Sequence, residues 1–169
     1  MQLACYDEAM TKGLELLPKI HLFLKEHPMG ILSTANTTGL PWGAAVYYLA
    51  DASFNIYFVV RAKSLKYQNI ESNPYAGLTV ADSETQQTVQ LSGPVTAMPA
   101  QKYIDIFIDK FAKMRPEGDY QWAPPLEKVH KGSYIPLQLT PALMQYADYG
   151  KHRIEVHGNY IEQIIPAPQ

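Results

Sequence analysis

The spacing of apolar residues divides the chain into a helical start and a long series of short strands. An amphipathic helix is predicted over about residues 6–26, because apolar residues recur there at helical spacing. They are Met10, Leu14, Leu17, Ile20 and Leu24. Pro28 follows and cannot continue a helix. We therefore expect one domain over residues 1–169 that begins with this helix.

After Pro28, short apolar runs alternate with turn residues, which is typical of antiparallel strands. Three runs joined by short turns predict a meander, at Met29–Ala35, Trp42–Ala50 and Asn55–Arg61. Later strands are predicted at Tyr75–Ala81, Thr88–Met98, Tyr134–Thr140, Ala142–Tyr149, Ile154–His157 and Tyr160–Ile165, and helices at Ser64–Ser72 and Pro99–Lys113. Many short strands with few helices indicate a barrel over about residues 28–165, because closure removes exposed sheet edges.

The composition fits a folded chain and excludes some partners. Hydrophobic residues make up 47% and charged residues 18% of the sequence, which is unlike a disordered chain. The formal net charge is −2, so the dense basic surface that nucleic acids require is not expected. No apolar run is long enough to span a membrane, and no signal-peptide pattern opens the chain. The sequence predicts a cytoplasmic protein that binds neither nucleic acid nor membrane.

The segment Ile56–Lys66 is the most informative stretch for function. A buried strand runs directly into three cations, Arg61, Lys63 and Lys66, before a helix begins. Ser64 occupies the N-cap position, where its hydroxyl can serve a first-turn amide. A helix start also favours an anion, and Arg can bind a phosphate with two parallel donors. The segment indicates a phosphate clamp; its plainer interpretation is a solvated basic turn.

The order of these segments resembles the pyridoxamine 5′-phosphate oxidase-like, FMN-binding split-barrel family. The matching parts are Gly30–Ala35 before the Gly39–Pro41 turn, Trp42–Leu49, Ile56–Val60, Arg61–Lys66, the helix that ends at Asn73 and Pro74, and Gln87–Gly93. The resemblance covers about Pro28–Met98. It implies a mainly β (α+β) fold, namely a six-stranded antiparallel split β-barrel with flanking helices.

The resemblance also implies a cofactor site for FMN across a homodimer interface. Its flavin ring would lie against the strand after Ile56, its phosphate at the clamp, and a ring carbonyl near one glutamine. The implied cofactor-binding residues are Tyr57, Phe58, Val59, Val60, Arg61, Lys63, Ser64, Lys66, Gln87, Thr88 and Gln90. Because strand residues alternate in direction, Gln87 and Gln90 face opposite ways and only one should reach the ring; we favour Gln90.

The leading functional hypothesis is an FMN-dependent oxidoreductase that acts on a small organic molecule. The sequence holds no acid–base motif, and a flavin supplies the redox chemistry itself. The resemblance does not extend to the C-terminal segment with Arg and Trp by which members that oxidise pyridoxamine phosphate bind the substrate phosphate. Tyr149–Ile154 matches it only faintly and no tryptophan follows, so pyridoxamine phosphate is not the expected substrate.

The alternative is a non-enzymatic flavin- or haem-binding sensor barrel, in which His130, His152 or His157 would be the haem ligand. A third hypothesis is a deazaflavin-dependent reductase.

Two tryptophans are the remaining aromatic candidates. Trp42 lies in the second predicted strand, where core packing is favoured over stacking on a flavin or closing a pocket. Trp122 lies between Gln121 and two prolines, where a pocket lid or a dimer contact is as plausible as packing.

Overall fold

A computed structural model describes residues 15–111, 131–150 and 160–164. Several predictions fall outside these residues: the first part of the opening helix, the strand Ile154–His157, Trp122, and the three histidines considered as haem ligands. Among the described helices, none is both long and apolar enough to cross a membrane.

Three helices and eight strands make up the described chain. The helices are α1 (residues 15–26), α2 (Leu65–Ser72) and α3 (Ala100–Phe111). The strands are β1 (Met29–Ala35), β2 (Pro41–Ala50), β3 (Ile56–Arg61), β4 (Tyr75–Asp82), β5 (Gln87–Ala97), β6 (Tyr134–Leu139), β7 (Leu143–Asp148) and β8 (Ile161–Ile164). Within the described residues, each predicted strand is present, and no strand end differs from its prediction by more than one residue.

Six of the strands close into an antiparallel barrel. The hydrogen-bonded order is β4-β1-β2-β3-β6-β5, and pairing of β4 with β5 completes the ring. The β1–β2–β3 meander predicted from the short turns is confirmed. β7 adds to the edge of β5 and β8 adds to β7, outside the closed ring. The six-stranded barrel implied by the family resemblance is therefore the fold of this chain.

The barrel interior holds the main hydrophobic core. Alternate residues of each strand point inward, and Phe58, Leu32 and Leu137 are fully buried there. α1 contributes Ile20 and Leu24 to the same core, so its apolar stripe covers an opening of the barrel. On the outside, α3 packs against β2 and β3 in a smaller separate cluster.

Asp51 organises the turn between β2 and β3. Its Oδ1 accepts the backbone N–H groups of Ser53 and Asn55 at 2.9 Å each, and its Oδ2 accepts the Tyr57 hydroxyl at 2.7 Å. Burial acts to raise the pKa of Asp51, but a hydrogen bond from Asn55 Nδ2 at 3.0 Å together with these three outweighs it and holds the pKa below its ordinary value. The turn is therefore tied to β3 by a carboxylate that is stable when ionised.

The barrel is split where β2 and β3 separate. Their ladder contains three residue pairs and ends at Tyr48–Phe58. Beyond it, residues 59–61 of β3 pair with β6 alone, and residues 41–47 of β2 pair with β1 alone. Each strand thus has one edge that no described strand covers. α2 begins four residues after β3 ends, so the split opens beside the start of that helix.

Candidate functional site

Three cations lie together at the end of β3. Arg61 is the last residue of the strand and Lys63 belongs to the following turn, and both side chains are exposed. Lys66 is half-buried in the first turn of α2. Arg61 Nε donates to the Tyr134 hydroxyl at 3.4 Å. Within residues 15–111, 131–150 and 160–164, none of the three forms an ion pair, so their charge is available to an anion.

Ser64 is the N-cap residue of α2, but its side chain does not cap the helix. The expectation that its hydroxyl serves a first-turn amide is wrong. Ser64 Oγ donates instead to the Arg61 carbonyl at 2.7 Å, and the Ser64 N–H donates to the same oxygen at 2.9 Å. Short polar side chains often bond a nearby carbonyl in this way. The hydroxyl thereby tightens the turn that carries the cations.

The start of α2 also offers backbone donors. The N–H groups of Leu65 and Lys66 precede the first intrahelical hydrogen bonds, as in every α-helix. No protein acceptor bonds them in the part of the chain that the structure describes. Two such amides, the partial positive charge of the helix end and three cations suit a phosphate group well. We name this set, Arg61–Lys66, the clamp.

A buried hydrogen bond anchors α2 to the barrel. Asn69 Nδ2 donates to Thr34 Oγ1 at 3.1 Å, and both residues are buried. Thr34 Oγ1 in turn lies 3.4 Å from the Trp42 carbonyl on β2. Asn69 and Ile70 are the only buried residues of this eight-residue helix. This bridge between α2, β1 and β2 therefore fixes the helix that carries half of the clamp.

The four residues of β3 that precede Arg61 have different surroundings. Phe58 and Val60 point into the barrel and are 0% and 1% exposed, so only their backbone could meet a ligand. Tyr57 packs outside the barrel under α3, with Val59 beside it. Only the half-buried Val59 keeps a partly accessible side chain close to the clamp.

The structure adds the facing edge of β2, which the sequence did not indicate. Residues 44–47 lie on the other side of the split, and Tyr47 is 52% exposed. Trp42 is 48% exposed, so the expectation that it packs in the core is wrong. It pairs with Thr34 near the tip of the β1–β2 hairpin, beyond the core residues of these strands. A signal that could have found the split is the length of β2, which has four more residues than β3.

Gln87 and Gln90 do face opposite ways on β5. Gln87 shares the inward face with Val89, whereas Gln90 is exposed on the outer face with Thr88. Both outer residues line a recess of about 150 Å³ between β5, β7 and β8. The lining residues are Thr88, Gln90, Gln145, Ala147, Tyr149 and Ile161. We call this cavity the β5–β7 recess.

The recess and the clamp lie at the two ends of one cross-strand row. Each residue of this row is the cross-strand partner of the next: Gln90 of β5, Thr79 of β4, Ile31 of β1 and Ala45 of β2. If the β2–β3 pairing is extended beyond the end of its ladder, Arg61 of β3 lies opposite Ala45. Because paired strands are about 4.8 Å apart, the three paired steps from Gln90 to Ala45 cover about 14 Å, and the split then separates Ala45 from Arg61. The structure thus brings the clamp residues together but leaves Thr88 and Gln90 of the same chain at a distance.

Between the two ends, the outer surface is apolar and concave. An open groove of about 510 Å³ runs across β1, β4 and β5. Small residues such as Ser33 and Gly77 line it. The exposed large apolar residues of this surface are Met29, Ile31, Tyr47, Tyr75 and Leu143. Contiguous apolar surface of this kind is typical of a protein–protein contact.

The described residues do not form a candidate metal site. No group of three or more His, Cys, Asp or Glu side chains could hold a metal ion there. His27 stacks on Phe23 and His21 packs against Phe54, so both described histidines are engaged by neighbouring aromatic rings.

The closed ring of six strands, split between β2 and β3 and bordered by the clamp, defines a split-barrel protein. The family model of pyridoxamine 5'-phosphate oxidase matches residues 16–130. The chain therefore belongs to the pyridoxamine 5'-phosphate oxidase family. No curated protein matches it in sequence.

Solved structures share the fold at low sequence identity. PhzG from Burkholderia lata 383, in complex with tetrahydrophenazine-1-carboxylic acid, is 15% identical with a TM-score of 0.60, covering 90% of this chain and 92% of PhzG. A pyridoxamine 5'-phosphate oxidase-related, FMN binding protein from Nostoc punctiforme PCC 73102 is 15% identical with a TM-score of 0.58, covering 86% and 87%. HutZ, the heme storage protein from Vibrio cholerae, is 12% identical with a TM-score of 0.58, covering 73% and 88%.

Proposed function

We propose that this chain binds FMN and passes electrons between the flavin and a small organic molecule. The clamp, Arg61–Lys66, holds the phosphate, and the flavin ring enters the split between β2 and β3. One observation carries the proposal: three cations and two N–H groups that bond no acceptor among the described residues lie within the six residues Arg61–Lys66, beside a strand edge that no described strand covers. This donor set fits a dianionic phosphate, because hydrogen bonds between charged groups are the strongest available.

In this proposal each residue of the clamp has a distinct task. Arg61 gives the phosphate two parallel donors, while Lys63 and Lys66 add point charges. Ser64 keeps the turn tight through the Arg61 carbonyl and leaves the helix amides to the phosphate. Val59 and the open edges of β2 and β3 bound the ring, and the backbone of Phe58 and Val60 supports it. FMN, when bound, supplies the electron-transfer chemistry.

A homodimer would complete the site. Because more than about 14 Å of sheet separates the clamp from Gln90, the arrangement is better suited to a flavin that is held by one chain and met by Gln90 and Thr88 of another. The apolar outer surface, with Ile31 and Tyr47 half exposed, offers the contact area for that second copy. Gln87 faces inward and is the weaker candidate for ring contact. One domain over residues 1–169 and a cytoplasmic location stay predictions.

A titration with FMN tests the proposal. The Arg61→Ala/Lys66→Ala variant should bind FMN about 10²–10⁴-fold more weakly, at about 1.5–3 kcal/mol for each charge-assisted contact. Lys102→Ala is the matched control, since Lys102 is an exposed cation on α3. Equal FMN affinity of the double variant and the control would refute the clamp.

A haem-binding protein is the second candidate, favoured by the fold shared with HutZ. The ligand would have to come from His130, His152 or His157, because the described histidines already pack on phenylalanines. An absorption spectrum separates the two: flavin bands support FMN, and a Soret band supports haem. If FMN binds, anaerobic NADH or NADPH should bleach it in an oxidoreductase and leave it oxidised in a binding protein.

A further inference from the structure

We infer that Tyr134 is a positioning residue for the clamp: its hydroxyl holds the Nε edge of Arg61, so that the guanidinium meets a phosphate through its two terminal amino groups. This inference rests on the proposed function, because it concerns how the clamp recognises a phosphate. Tyr134 begins β6, outside the segment that indicated the clamp. It therefore adds a second strand to the recognition of the ligand.

The strand register places Tyr134 beside Arg61. The two residues are direct cross-strand partners and form the last pair of the β3–β6 ladder. Their side chains leave the same outer face of the sheet, because the adjacent residues Val60 and Ile135 pack into the barrel core. The split lies on the β2 side of β3, whereas Tyr134 lies on the β6 side. The tyrosine hydroxyl therefore holds Arg61 from the side opposite the split.

The hydrogen bond occupies one edge of the guanidinium. Arg61 Nε donates to the Tyr134 hydroxyl at 3.4 Å. A guanidinium carries five N–H donors in a planar fork, so four remain on Nη1 and Nη2. Among the described residues, these four bond no protein acceptor. The two terminal amino groups match two oxygens of a phosphate, whereas a side-on contact would need the Nε–H that Tyr134 already holds.

A tyrosine suits this task because it orients Arg61 without neutralising its charge. A carboxylate in the same place would pair with Arg61 and compete with the phosphate. No carboxylate pairs with Arg61 in the part of the chain that the structure describes. Tyr134 is half-buried and Arg61 is exposed, so the tyrosine is the more restricted side chain. Holding the long arginine before the ligand arrives reduces the rotamer freedom that is lost on binding.

Tyr134→Phe tests the inference, because it removes the hydroxyl and keeps the ring. The affinity ratio of FMN to riboflavin should fall about three- to fivefold, a modest effect because the hydrogen bond is long at 3.4 Å. Riboflavin affinity and the urea unfolding curve should match those of the parent protein. Tyr75→Phe is the matched control and should leave the ratio unchanged: Tyr75 is an exposed tyrosine on β4, beyond the far end of α2 from the clamp.

A second variant distinguishes positioning of Arg61 from a general structural role. Arg61→Lys keeps the positive charge but lacks the Nε–H that Tyr134 holds. In the Arg61→Lys background, Tyr134→Phe should therefore have no further effect on the ratio of FMN to riboflavin affinity. The NMR signal of the Arg61 Nε–H gives a measurement without ligand: it should shift in Tyr134→Phe and stay in place in Tyr75→Phe.

The outcomes separate this inference from the clamp itself. An unchanged ratio in Tyr134→Phe, in a parent protein that prefers FMN at least about 100-fold, would overturn the inference and leave the clamp intact. An equal loss in the Arg61 and Arg61→Lys backgrounds would overturn it as well, because Tyr134 would then act without the Nε–H. Equal affinity of the parent protein for FMN and riboflavin would refute the clamp, and the inference with it.

Discussion

The hydrogen bond between Asn69 and Thr34 should contribute measurably to stability. Thr34→Val preserves the shape of the side chain but removes the oxygen that accepts from Asn69 Nδ2 at 3.1 Å. Thr34 is 3% and Asn69 5% exposed, so water cannot readily replace the lost acceptor. A buried donor without a partner costs about 1–3 kcal/mol. We expect Thr34→Val to lower the free energy of unfolding by about 2 kcal/mol.

Urea unfolding without flavin, at pH 7 and fixed protein concentration, measures this change. The slope of unfolding free energy against urea should stay constant if only stability changes. Asn69→Leu combined with Thr34→Val should cost less than the two single changes together, with a coupling of about 1 kcal/mol or more. Thr96→Val is the matched control: Thr96 is exposed on β5, and its change should stay within about 0.5 kcal/mol.

Two results would refute this reasoning. Thr34→Val could match Thr96→Val in unfolding free energy, or the double variant could show strict additivity. Either would mean that the bridge does not hold α2 on the barrel. A functional consequence follows as well: because α2 carries Lys66, Thr34→Val should also weaken FMN binding, although Thr34 itself is buried and is not part of the clamp.

Two further predictions concern the barrel itself. Gly93→Ala should lower the free energy of unfolding, measured by a urea titration, by about 3 kcal/mol. The added Cβ would clash with the Thr140 carbonyl and lie 2.8 Å from the Ala142 nitrogen. Gly77→Ala is the control: its added Cβ would meet its nearest atom at 3.6 Å, so this change should cost little. Asp51→Asn should cost about 2 kcal/mol at pH 7. The difference in unfolding free energy between the parent protein and Asp51→Asn should vanish in acid. Because the pKa of Asp51 is lower in the folded state, its carboxylate contributes fully to stability above about pH 4. This contribution is lost as the pH falls through the pKa of the folded state.

Local patterns predicted the strands well because short apolar runs alternate with turn residues. β1 was recognised in this way, although its alternation of exposed and buried residues cannot be read from the sequence, since Met29 and Ile31 are exposed and Thr34 is buried. The order of pairing was less accessible. Nothing in the alternation of β5 indicates that it pairs with β4, β6 and β7, since register and partner depend on contacts between distant segments.

The candidate site shows the same limit. The cations of the clamp were visible because Arg61, Lys63 and Lys66 follow a buried strand directly. The hydroxyl of Ser64 was assigned to the wrong partner, because a serine before a helix can bond either a following amide or a preceding carbonyl. Tyr134 was not found, since its position beside Arg61 arises only when β6 pairs with β3.

The affinity ratio of FMN to riboflavin tests the central claim most directly, because the two ligands differ only by the phosphate. The parent protein should bind FMN at least about 100-fold more tightly than riboflavin, and Arg61→Ala/Lys66→Ala should reduce the ratio to about tenfold or less. Equal affinity of the parent protein for the two ligands would contradict the account, because no phosphate would then be held at the end of β3.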